Sequence, residues 1–347
     1  MPDKLRVGII GAGSYTISRM LPGFMKAPNC EVTTVANRRR ENAEKVAAQF
    51  GIPKVADDWR EVLASSDVDA VLIGTPPNTH REMALAAFEG GKHVLCQTRI
   101  ATTADEAREM HAAAEAAKQR GVRAMLVPPG PFYRGRRFIE HLVTSGYLGR
   151  LTHVQAFNQN ASMADPTTPL SVGRNELELY GKYNAAQLGL TYDVMVPWTG
   201  HATRVLGQRA TFVKERPATP GGPMARAPYP EEVTVIAETE GGAVVMNVLN
   251  WAARFSESRI ELYGDKGTVV YKQRGDVILG AREGDEGLKE IPIPPEHDGP
   301  WLVEEEFVRL AIGELDEPSF TFWDGVRNME YLEAAYNSAM EGRWVAM

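Results

Sequence analysis

Residues 5–19 read LRVGIIGAGSYTISR. A short apolar run ends in Gly11-Ala12-Gly13 and passes into a segment able to form a helix. Strand, tight glycine turn and helix start, in that order, make the geometry that receives a dinucleotide pyrophosphate. Gly11 permits the turn, Gly13 lets the backbone approach the phosphates, and Ser14 and Tyr15 open the helix whose N-terminus faces them. The third glycine of the G-x-G-x-x-G pattern is replaced by Thr16, so the match is incomplete. An ordinary strand-to-helix turn has the same outline, and context decides between the two.

That context includes residues 31–40, EVTTVANRRR. An acidic residue at the end of this second strand would accept hydrogen bonds from the ribose hydroxyls and repel a 2′-phosphate. Asn37 does not repel it, and a guanidinium can grip phosphate through two donors. The sequence therefore favours NADP, with Arg38 as main phosphate ligand and Arg39 as helper, and NAD as the other possibility. The competing reading is a solvated helix start, with NAD bound through Asn37.

The elements that must position these residues alternate over the first 125 residues. Strands are expected at 5–10, 31–36, 70–74, 93–96 and 122–127, and helices at 14–26, 39–50, 58–65, 79–90 and 103–120. This alternation predicts a doubly wound parallel sheet, a Rossmann domain over 1–127. After Pro128-Pro129-Gly130-Pro131 the pattern changes. A helix at 134–145 precedes strands at 151–159, 210–216, 232–239, 243–251, 258–263, 267–272 and 276–280. A helix at 184–206 interrupts the series, residues 217–230 read as a long loop, and 300–342 returns to helix. Short turns between strands indicate an α+β domain over 128–347 with a large, open, mostly antiparallel sheet. The C-terminal helices, 303–315 included, are expected to pack back on the chain.

The chain is 347 residues long, 44% hydrophobic and 24% charged, with a formal net charge of −7. No basic excess exists to neutralise nucleic-acid phosphates, and no apolar run approaches the roughly 20 residues that span a bilayer. Two cysteines, Cys30 and Cys96, make no disulfide framework, so a cytoplasmic location is the default. The seven histidines are dispersed, without metal-ligand spacing, so no metal is expected.

Several segments together resemble the Gfo/Idh/MocA (glucose-fructose oxidoreductase / inositol dehydrogenase) family: VGIIGAG, DVDAVLIGTPPNTHREMALAAFEGGKHVLC, SGYLGRLTHVQA, YGDKGTVV and AAYNSAMEGRWV. The resemblance implies a nicotinamide cofactor, a small-molecule substrate, and an open sheet face that often builds dimers or tetramers. It places Thr75, Pro76 and Pro77 beside the nicotinamide ribose, with His80 and Gln97 in the same cofactor group. His80 is expected mainly to pack and cap.

The chain departs from the family where the family does its proton chemistry. The Glu-Lys-Pro expected after HVLC is Gln97-Thr98-Arg99. Thr98 can hydrogen-bond but is no base near neutral pH. The helix pattern D-x-G-x-H-x-x-D-x-x-x-H aligns so that Ala186, Leu190 and Pro197 replace an aspartate and two histidines, while Asp193 retains the later aspartate. Pro197 is expected to kink or end the helix, and His201 to be structural.

Oxidising an alcohol requires a group that takes the hydroxyl proton. Asp193 and Tyr192 are the candidates on the helix, and a tyrosine beside Arg99 would have its pKa lowered by the charge. The loop 160–183 is long and polar and could cover a substrate cleft, with Arg174, Tyr180 and Tyr183 as substrate contacts. Three functions fit: an NADP-dependent oxidoreductase acting on a sugar, cyclic polyol or related carbonyl compound; a redox-neutral enzyme retaining its nucleotide; or a non-catalytic nucleotide-binding protein. The first is favoured, because the nucleotide loop is intact and polar residues remain in the cleft segments.

Overall fold

The computed structural model describes residues 4–129, 134–173, 177–183, 186–299 and 301–347. The chain forms two compact units, residues 1–128 with 301–329, and residues 129–300 with 330–347.

In the first unit six strands, β1 (Leu5–Ile10), β2 (Cys30–Ala36), β3 (Lys54–Ala56), β4 (Ala70–Ile73), β5 (His93–Cys96) and β6 (Ala124–Leu126), form a parallel sheet in the order β3-β2-β1-β4-β5-β6. That is the Rossmann order, whose crevice lies at the carboxyl ends of β1 and β4. Strand β3 was not expected. With three residues and Val55 as its one large apolar side chain, it carries no periodic signal and is specified by pairing with β2.

The helices of this unit are α1 (Leu21–Phe24), α2 (Arg40–Phe50), α3 (Trp59–Ala64), α4 (His80–Glu89) and α5 (Ala104–Lys118). Thr103 caps α5 by accepting from the Glu106 N–H at 3.2 Å. The helix expected over 14–26 is helical over 14–24, but residues Thr16–Met20 take π register. Pro22 explains this: it has no N–H for the Ser18 carbonyl, and its ring would crowd that oxygen. The turn widens, and the Leu21 N–H bonds the Thr16 carbonyl instead.

In the second unit α6 (Arg136–Thr144) leads into β7 (Leu151–Gln159), followed by α7 (Leu177–Tyr180) and α8 (Ala186–Thr199). The remaining strands are β8 (Ala202–Ala210), β9 (Glu215–Pro217), β10 (Met224–Arg226), β11 (Glu232–Thr239), β12 (Val244–Asn250), β13 (Arg259–Gly264), β14 (Gly267–Lys272), β15 (Val277–Arg282) and β16 (Lys289–Glu290). Then come α9 (Val303–Ala311), which belongs to the first unit, α10 (Phe322–Glu341) and β17 (Val345–Ala346). Nine strands form one sheet, β16-β15-β14-β13-β7-β12-β11-β8-β17, antiparallel except where β12 pairs with β7.

Two expectations fail here for physical reasons. The helix expected to reach 206 stops at Thr199, because Gly200 adopts a left-handed φ of +73° that ends it. Residues 202–210 then form β8, held between β11 and β17, in place of a strand at 210–216. Pro197 does not end the helix; it lies within its last turn. The stretch 217–230 is no plain loop, since β9 and β10 make a hairpin.

Helix α9 contributes Val303, Phe307, Val308 and Leu310 to the first unit's core, where Phe307 meets Phe24 edge-on at 6.4 Å. Helix α10 begins in the first unit and ends in the second, where the Ala335 carbonyl closes on Gly207 of β8 so tightly that no Cβ fits.

Candidate active site

The glycine loop is built as its sequence requires. Gly11 sits at φ +86°, and a Cβ there would lie 2.5 Å from the Thr75 methyl and 2.8 Å from the Thr75 nitrogen. Gly13 faces open space, with nothing within 4 Å of a Cβ built on it. A backbone cradle with room above it, followed directly by a helix, fits a pyrophosphate.

Asn37 closes the loop from the end of β2. Its Oδ1 accepts the Ala12 N–H at 2.6 Å, and its amide approaches the Ala12 carbonyl at 3.5 Å. The next residues divide by environment. Arg40 bonds Glu44 at 2.9 Å and pairs with Asp57. Arg38 and Arg39 are exposed, and neither side chain forms a hydrogen bond or ion pair among the described residues. Ser14 is exposed beside Gly13, whereas Tyr15 turns partly into the core, where burial, and then the charge of Glu304, push its hydroxyl up to about 12.

Thr16 shows how the loop tolerates a missing glycine. Its side chain is buried, donates to the Gly11 carbonyl at 3.3 Å and accepts from Gln97 Nε2 at 3.1 Å. The space comes from Gly74 at the end of β4, where a Cβ would lie 2.5 Å from the Gly11 carbonyl and 2.7 Å from Thr16 Oγ1. The small residue is on the neighbouring strand instead of the helix. Sequence reasoning missed Gly74, and its one signal was its position directly before Thr75.

After Gly74, Thr75 accepts from the Thr79 hydroxyl at 2.7 Å, and Pro76 and Pro77 lead into α4. His80 is 1% exposed, and its two ring nitrogens face two carbonyls, Thr75 at 2.7 Å and Ile100 at 3.1 Å. Burial holds this imidazole below its ordinary pKa; the backbone carbonyls oppose that shift and the Arg99 charge adds to it. A neutral ring has one N–H, so it donates to one carbonyl at a time. His80 thus links the loop after β4 to the loop after β5 and offers nothing to solvent. On the second loop Thr98 is half-buried, Arg99 is buried, and the peptide between them is cis.

The other candidates belong to the second unit. Asp193 and Tyr192 lie mid-helix on α8 and are 6% and 5% exposed. Pro197 removes the N–H that would have bonded the Asp193 carbonyl one turn back. Asn158 donates to Gln187 at 3.3 Å and Asn247 to the Leu188 carbonyl at 3.2 Å, which fastens the start of α8 to β7 and β12. Tyr192 stacks on Tyr331, ring centroids 4.1 Å apart, and its hydroxyl meets His201 Nδ1 at 3.0 Å. His201 is therefore a partner of Tyr192, a role the sequence did not reveal. Tyr180 ends α7 half-buried, Tyr183 packs edge-on against Tyr336, and Arg174 lies outside the described residues.

Residues 5–125 match the oxidoreductase family with an NAD-binding Rossmann fold, and residues 137–270 match the GFO/IDH/MocA C-terminal domain. The chain belongs to the Gfo/Idh/MocA family. It is an oxidoreductase of that family, with an NAD-binding Rossmann domain and a C-terminal sheet domain. Among Gfo/Idh/MocA relatives it is 26% identical to levoglucosan dehydrogenase of Pseudarthrobacter phenanthrenivorans, over 99% of this chain and 98% of that one. It is 40% identical to 1,5-anhydro-D-fructose reductase of Ensifer adhaerens over 32% of this chain and 33% of the other. A solved levoglucosan dehydrogenase in complex with NADH and L-sorbose superposes with a TM-score of 0.85 at 25% identity, covering 99% of this chain and 98% of that one. No helix among the described residues is long and apolar enough to cross a membrane.

Proposed function

We propose that the protein is an NADP-dependent oxidoreductase that moves a hydride between nicotinamide and a sugar, a cyclic polyol or a related small alcohol or carbonyl compound. The observation that carries the cofactor choice is the pairing at the end of β2. Asn37 is engaged with Ala12, and the exposed side chains of Arg38 and Arg39 beside it have no hydrogen-bond or ion-pair partner among the described residues. The substrate class is supported by two relatives, each named for a carbohydrate substrate.

The nicotinamide ring, when bound, accepts or gives the hydride. This chain's residues do the rest. The backbone of Gly11 to Gly13 holds the pyrophosphate, and Arg38, with Arg39, neutralises the 2′-phosphate. Thr75, Pro76, Pro77 and Gln97 shape the nicotinamide side, with His80 fixing the loops behind them. Asp193 takes the hydroxyl proton, as a carboxylate buried on a helix can. Thr98 hydrogen-bonds the substrate oxygen, Arg99 supplies positive charge beside it, and Tyr180 and Arg174 contact the substrate. The Tyr192 hydroxyl, held by His201, supports the helix at Asp193.

Calorimetric titration of nucleotide-free protein with NADPH and NADH tests this reading. NADPH should bind at least tenfold more tightly, and Arg38→Ala should erase the difference without weakening NADH. Equal affinities in the unaltered protein would reverse the cofactor choice. The open sheet face, where His153, Gln155 and Phe157 alternate with buried Val154 and Ala156, supports self-association through that face, which light scattering would detect.

A further inference from the structure

The second unit contains an open recess that the proposed reaction does not use. It is a depression open to solvent between β8, β11, the segment before α8 and the last turns of α10. Leu188 lines it, five residues from Asp193, so the two side chains leave α8 about 140° apart. The recess and the Asp193 side are therefore different faces of one helix.

Two cations meet at its wall. Arg209 lies two residues after Gly207 on β8 and so shares the sheet face covered by α10. Its guanidinium sits 4.9 Å from the centre of the Tyr336 ring. Lys182 reaches the same ring at 5.9 Å and Tyr183 at 4.7 Å. Among the described residues neither Arg209 nor Lys182 forms an ion pair and no acidic side chain lines the recess. Glu333 acts on Lys182 only at longer range.

A half-buried guanidinium on the covered face of a sheet ordinarily meets a carboxylate, because desolvating it alone is costly. Here it meets an aromatic ring and an opening to solvent. We propose that this recess is a second ligand site that binds a small carbohydrate bearing one oxyanion, carboxylate or phosphate. Arg209 and Lys182 receive the anion, and the sugar ring lies against the tyrosine and leucine walls. Tyr183 then belongs to this site and not to the reacting substrate.

Calorimetry on the full chain tests the site with D-glucuronate, D-glucose 6-phosphate, D-glucose and inorganic phosphate. We expect at least one of the two sugar anions to bind once per chain, at least tenfold tighter than glucose or phosphate. Preference between the two identifies the anion as carboxylate or phosphate. Arg209→Gln, and separately Lys182→Met, should weaken that binding at least tenfold and leave NADPH affinity unchanged. The proposal is overturned if neither sugar anion binds, if glucose or phosphate binds equally well, or if both variants bind as the unaltered protein does.

Discussion

The side chain of Asn37, at the end of β2, accepts a hydrogen bond from the Ala12 backbone at 2.6 Å, so the residue proposed to set nucleotide preference also holds the glycine loop in place. Asn37→Asp keeps an acceptor for that N–H and adds a negative charge where a 2′-phosphate would lie. NADPH affinity should fall at least tenfold, and NADH affinity should stay within about threefold. Asn37→Ala removes the bond and should weaken both nucleotides. Parallel titrations separate the two roles, and an Asp variant that still prefers NADPH would detach Asn37 from the choice.

Gly74 and Thr16 are complementary. A methyl at 74 must displace the Gly11 carbonyl or the Thr16 hydroxyl, which lie 2.5 and 2.7 Å from it. Gly74→Ala should cost about 1–3 kcal/mol of stability through overpacking and lower affinity for both nucleotides. Thr16→Gly in the same protein should restore part of both losses. Additive, independent effects in denaturation and binding would show that the two positions do not share one space.

His80 ties two loops through carbonyls that are otherwise buried. His80→Ala removes the ring's one donated hydrogen bond and its packing and should destabilise the protein by about 1–3 kcal/mol in urea unfolding. His80→Gln, whose amide can donate to a carbonyl, should recover part of this. The imidazole is depressed in the folded state, so its contribution is fully present above about pH 6.5 and lost as pH falls through the folded value. The stability difference between wild type and His80→Gln should therefore shrink on acidification; a constant difference would argue against a neutral ring.

Glu304 gives the opposite sign. Burial raises its carboxyl from 4.5 to about 7, although Trp301 donates to it at 3.1 Å, and its Oε2 has no hydrogen-bond partner. The folded state prefers the protonated acid, so stability falls as pH rises from about 4.5 to 7 and is level above that. The full loss is about 3 kcal/mol. Glu304→Gln should match wild type near pH 5 and exceed it at pH 8. A pH-independent gain would mean that the carboxyl is ionised throughout.

Arg216 and Glu231 form a fully buried pair at 2.9 Å, and Arg216 also donates to the carbonyls of Met163 and Asp165 at 2.6 and 2.7 Å. The pair anchors the start of the loop expected to cover the cleft. Arg216→Met leaves Glu231 buried without its cation and should cost about 3–5 kcal/mol, whereas adding Glu231→Gln should return much of it. Equal losses in the single and double variants would show that the carbonyl contacts, not the charges, dominate.

The sequence alone determined most of the first unit, because local signals there coincide with the final state. A glycine turn after an apolar strand, and helices with their own caps and glycine stops, are written in adjacent residues. The glycine loop was legible for the same reason. In the second unit the segment after Gly200 carries no decisive period, and it became β8 because β11 and β17 were there to pair with it. Only the tertiary structure could show that Gly74 makes room for Thr16, that His201 engages the hydroxyl of Tyr192, and that His80 spans two loops. Each of these relations joins residues from different turns or strands, and a linear pattern does not encode their distance. The same holds for Arg209, Lys182 and Tyr336, which converge on one recess from three separate segments.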